Sequence, residues 1–174
     1  PLACAAAVLV NLMTCYVLFG QFVVSGVTST AILAAGYLFS AVIVTFYMAS
    51  YPSIAGAGSW IELSPQAPSW LWVAWHAGFP LFAIAFVASE KRKARTRLAA
   101  WQFRPALLYA TAALVASVAI GSGLLLYSEQ LPPLIAGHNY GASVVTGVGL
   151  GTLAVNFVAL GLIVVRLRAH TLLQ

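Results

Sequence analysis

Ser69–Ser89, SWLWVAWHAGFPLFAIAFVAS, carries no charged side chain and is long enough to cross a bilayer as a helix. A hydrocarbon core of roughly 30 Å needs about 20 apolar residues at 1.5 Å rise. Trp70, Trp72 and Trp75 crowd its first turns, and indole rings favour the boundary between headgroups and hydrocarbon. His76 and Pro80 lie deeper in the same run. An ionisable ring is costly inside a membrane, so its surroundings are the first place to look for function.

The rest of the chain agrees with that reading. Its 174 residues are 62% hydrophobic and 6% charged, with a mean hydropathy of +0.97. A soluble domain carries about 25% charged residues; this chain could not cover its surface with solvated groups. The apolar runs are continuous rather than alternating, which predicts helices and not barrel strands. The expected fold is an all-α integral membrane protein with five transmembrane helices over about 2–22, 30–51, 69–89, 104–127 and 140–165. The chain starts at Pro1 already inside an apolar run. On that basis 1–174 is expected to be one domain within a longer polypeptide and part of a larger bundle.

A formal charge of +5 could suggest nucleic acid, but the placement of the charges argues otherwise. Lys91, Arg92, Lys93, Arg95, Arg97 and Arg104 lie in one inter-helix segment, and Arg166 and Arg168 follow the last apolar run. That is the positive-inside pattern. It predicts a multi-pass membrane protein with the 90–104 segment and the C-terminal end cytoplasmic. Glu62, Glu129 and His138 then fall outside, and His170 inside. Cys4 and Cys15 are about 16 Å apart along the first helix, too far for a disulfide.

Polar groups inside the spans carry what further information there is. Asn11, Thr14, Leu18 and Gln21 share one face of the first helix, expected to turn inward and bond a neighbouring helix. Thr152 and Asn156 sit one turn apart in the fifth helix, and are expected on its cytoplasmic half within reach of Gln21. Small residues recur every four positions at Gly36 and Ser40, at Ala113, Ser117 and Gly121, and at Ser143, Gly147 and Gly151. Such stripes predict close helix contacts. Gly147–Gly151 lies inside a span and follows no strand, which excludes a phosphate-binding loop.

In the third helix Pro80 lacks the N–H that would have bonded the carbonyl of His76. A kink and a free carbonyl beside the imidazole are expected. Trp72 stands one turn above and Phe79 one turn below, with Trp75 and Trp60 completing an aromatic rim. Three readings stay open for His76. It is a structural histidine bonded to a neighbour, or a ligand-, lipid- or proton-sensing group paired with Glu62 or Glu129, or a haem or metal ligand. No nucleophile–base set, carboxylate pair or metal-spaced cluster is present, so no catalytic or metal residues are expected in these spans. No cofactor is expected, with haem on His76 the alternative.

Asn11–Phe22 (NLMTCYVLFGQF), Gly36-Tyr37-Leu38-Phe39, Tyr51-Pro52-Ser53 and above all Trp70–Phe82 (WLWVAWHAGFPLF) resemble the bacterial membrane-associated sensor domain of the fourth type. That domain occurs in front of GGDEF diguanylate cyclases and of some histidine kinases. Asn11 stands where the family pattern has an acid, and Ser53 where it has glycine. The resemblance implies a sensory input module for a small-molecule or lipid stimulus. Its output would be cyclic di-GMP synthesis or phosphorelay, from a homodimer formed through the output domain. The other class is a small helical anchor subunit of a membrane complex binding haem, quinone or lipid.

Overall fold

The computed structural model describes residues 2–50, 64–90, 103–136, 139–140 and 145–171. Trp60, Glu62, His138, Ser143 and the basic residues 91–97 lie outside them. Among the described residues five helices are long and apolar enough to cross a membrane. They are α1 (Leu2–Ser25), α2 (Thr28–Ala49), α3 (Ala67–Glu90), α4 (Phe103–Tyr127) and α5 (Leu150–Thr171).

α1 stops at Gly26, whose φ of 64° is the left-handed conformation that ends helices without a Cβ penalty. Its N–H closes on the carbonyl of Phe22 at 2.8 Å, and α2 begins two residues later. α1 and α2 therefore form an antiparallel hairpin. α2 is the central element: 50% of its span is buried, against 6% for α1 and 11% for α5. It packs on α1, α3 and α4. Phe39, Ile43 and Leu71 form the main core, flanked by Phe46, Trp75 and Phe82. Phe22, Ala31 and Ala106 form a second cluster, closed by an edge-on contact of Phe22 with Tyr109 at 5.7 Å.

The contact register gives the directions. Gly36 meets Phe82 and Phe39 meets Gly78, so α2 and α3 are antiparallel. Ala31 meets Ala106 and Phe46 meets Gly121, so α2 and α4 are parallel. α5 stands apart from the core and packs on α3.

Two of the small-residue stripes are helix contacts. A Cβ at Gly36 would lie 2.7 Å from the Phe82 Cβ, and one at Gly121 would overlap the Phe46 ring. Ser40 and Ser117 are buried with them. The glycines of the third stripe are not contacts: a Cβ at Gly147 or Gly151 would meet nothing within 4 Å. The packed face of α5 lies one residue further round, through the buried Thr152 and Ala159. Glycine spacing alone could not show that 100° offset.

The fifth helix also starts later than expected. Asn139 and Tyr140 pair with Ala136 and Ile135 in a short antiparallel ladder. A π-turn over Val145–Gly149 then leads into α5, which runs on to Thr171. Tyr140 belongs to the ladder and not to the helix. At the other end, long arginines at 166 and 168 do not stop a helix, because their stems follow apolar surface while their heads reach water.

Candidate functional site

Trp72, Trp75 and His76 are spaced three and four apart, which puts them on one helical face. The Trp72 and His76 rings stack with centroids 4.0 Å apart and planes 24° apart. Trp75 meets the imidazole edge-on at 4.6 Å. The imidazole Nδ1 lies 2.9 Å from the Trp72 carbonyl oxygen. A carbonyl only accepts, so Nδ1 carries the hydrogen and donates it. The side chain is thus held by its own helix, by one hydrogen bond and two ring contacts.

The backbone of His76 is held from another helix. Pro80 continues α3 but brings no N–H to the His76 carbonyl. Asn156 of α5 donates its Nδ2 to that oxygen at 2.9 Å. Its second hydrogen goes to the Thr152 carbonyl, one turn earlier on α5, at 2.8 Å. Both partners are acceptors, which fixes the amide orientation. Thr152, buried beside it, bonds the Val148 carbonyl at 2.9 Å. The carbonyl released by proline is therefore satisfied across the α3–α5 contact.

Two expectations change at this point. The His76 carbonyl is not free, because the fifth helix supplies its donor. Asn156 does not pair with Gln21, which is exposed on α1, a helix that packs on α2 and α4. The late start of α5 explains the difference. Counted from Val145, Asn156 is roughly 16 Å along its helix; counted from Ala67, His76 is roughly 14 Å along α3. The two residues share a depth.

The polar face of α1 also differs from expectation. Asn11 donates to the Ala7 carbonyl at 2.7 Å and Thr14 to the Val10 carbonyl at 2.8 Å. Back-bonding to the preceding turn satisfies these donors within the helix, so they do not fasten α1 to a neighbour.

Phe79 turns away from the imidazole and packs edge-on against Tyr37 of α2 at 5.0 Å. Pro80 is buried. No carboxylate among the described residues pairs with the imidazole, and Glu129 is exposed in the turn after α4. Among the described residues no cluster of His, Cys, Asp or Glu could hold a metal ion.

Three features escaped the sequence reading. Gly78, between His76 and Pro80, receives the Phe39 ring where a Cβ would stand. A glycine inside a helix costs about 1 kcal/mol against alanine, and that cost was the available signal of a close approach. Gln66, just before α3, accepts the Leu134 N–H through Oε1 at 2.9 Å, tying the α4–α5 connection to the head of α3. The Trp70 Nε1 is buried without a partner among the described residues.

A proline inside a helix, an aromatic wall and a cross-helix hydrogen bond thus meet at one junction. The model of the family MASE4, described as a membrane-associated sensor, integral membrane domain, matches residues 1–174. No curated protein and no solved structure matches the chain.

Proposed function

The chain belongs to the membrane-associated sensor family of integral membrane domains, and from that premise we propose that the α3–α5 junction is its sensing element. A stimulus at Trp72, Trp75 and His76 changes how firmly α5 is clasped to α3. The change passes along α5 to a cytoplasmic output module, a diguanylate cyclase or a histidine kinase working as a dimer.

The observation that carries this reading is the bond from Asn156 to the His76 carbonyl. One backbone oxygen of the proline-bearing helix is held by one side chain of the peripheral helix, directly beside the stacked rings. A ligand acts on such an equilibrium only by favouring one packing over the other. A single interhelical hydrogen bond in a membrane averages about 0.6 kcal/mol, small enough for a bound molecule to outweigh.

The orientation is part of the proposal. The basic segments, with Arg104 at the start of α4 and Arg166 and Arg168 near the end of α5, mark the cytoplasmic face of the inner membrane by the positive-inside rule. The junction then lies towards the periplasmic half.

The test is His76→Ala in the full-length protein, with output and membrane expression measured together. His76→Ala removes the stacked ring and leaves the clasped carbonyl in place, so it tests where the stimulus acts: output should change by more than about threefold while expression stays within about twofold. Equal loss of both would make His76 a structural residue.

A further inference from the structure

The junction has unequal hydrogen-bonding capacity. With Nδ1–H given to Trp72, the Nδ1–H tautomer of His76 keeps Nε2 as an acceptor only. With both Nδ2 hydrogens given to His76 and Thr152, Asn156 keeps Oδ1 as an acceptor only. Neither Nε2 nor Oδ1 is engaged by a described residue. Asn156 is exposed and His76 is partly so, and both sit within helices long and apolar enough to cross a membrane. Lipid tails offer no donor, and acceptors left without one in hydrocarbon are disfavoured.

The surroundings specify the rest. Trp72 is 42% exposed and already stacks on the imidazole, so it presents a flat aromatic surface beside these acceptors. Leu153 and Leu160, on the Asn156 side of α5, are 54% and 57% exposed and offer apolar surface along the helix.

Resting on the sensor reading above, we propose that the junction binds an amphiphile whose aromatic head donates a hydrogen bond, a phenol or hydroquinone with an alkyl tail. The head lies against Trp72 and gives its hydroxyl to His76 Nε2 or Asn156 Oδ1; the tail follows α5. A quinone head only accepts, so the same site discriminates the reduced form from the oxidised one.

The experiment is calorimetric titration of the full chain in lipid nanodiscs with 4-heptylphenol and with its methyl ether, which has no donor. The phenol should bind at least about tenfold more tightly, the size of one well-made hydrogen bond in a dry site. In His76→Phe or Asn156→Leu the preference should fall to about threefold or less. An alkylhydroquinone should bind like the phenol, and the matching benzoquinone like the ether. Equal affinity of phenol and ether for the unmodified chain overturns the proposal.

Should the variants not fold, a diazirine-bearing alkylphenol locates the site on the unmodified chain. Crosslinks are expected in the peptides holding Trp72 and Asn156, and crosslinks confined elsewhere overturn the assignment. Binding is measured without output, so these failures reject the ligand class and leave the test of signalling by His76→Ala standing.

Discussion

At the scale of the residue, the informative contrast is between two asparagines. Asn11 and Asn156 are each an amide in an apolar helix, and nothing in composition or spacing separates them. The structure does: Asn11 bonds its own preceding turn, whereas Asn156 reaches a carbonyl that proline has left without a donor. Asn11→Leu is therefore expected to change stability by less than about 0.5 kcal/mol. Asn156→Leu should cost about 1–2 kcal/mol, because the carbonyl that proline cannot serve loses its side-chain donor. Thermal unfolding in detergent micelles compares the two, and equal losses would remove the special role of Asn156. The proline rule singled out the His76 carbonyl, but as a free acceptor, whereas it is held by Asn156. The identity of that partner was not legible, because 80 residues separate the two and no sequence pattern encodes which helices touch.

At the scale of the element, close approach depends on which glycines face a ring. Gly78 meets Phe39, while Gly147 and Gly151 meet nothing. Gly78→Ala is expected to destabilise by about 1–3 kcal/mol through overpacking, and Phe39→Leu in the same chain should recover part of that loss. Gly151→Ala is expected to be neutral or stabilising by up to about 1 kcal/mol, from helix propensity alone. Denaturant unfolding of the three variants checks the order, and a Gly151→Ala loss as large as that of Gly78→Ala would contradict it. The helices themselves were readable from apolar length, because spanning the hydrocarbon leaves few alternatives. The start of α5 was not, since a short ladder at Tyr140 is set by pairing with Ile135 and not by hydropathy.

At the scale of the whole molecule, α2 organises a packed core with α1, α3 and α4, and α5 is carried on α3 as a peripheral element. The peripheral helix is the one best placed to move without unpacking the core, since its contacts are fewest and its apolar surface is already exposed to the membrane. The proposed orientation is checked by single cysteines in a background lacking Cys4 and Cys15. Arg168→Cys should be labelled only from the cytoplasmic side by a membrane-impermeant maleimide, and Glu129→Cys only from the periplasmic side; the reverse pattern would invert the domain. The clasp itself is tested most directly by measuring second-messenger or phosphotransfer output from the full-length protein carrying Pro80→Ala, Asn156→Leu and both together. Pro80→Ala returns an N–H to the His76 carbonyl and Asn156→Leu removes its partner, so each change loosens the same bond. Each alone should shift basal output in the same direction, and the double variant should go no further than the stronger single one. Effects that multiply, or unchanged output from variants that insert and fold, would contradict the account.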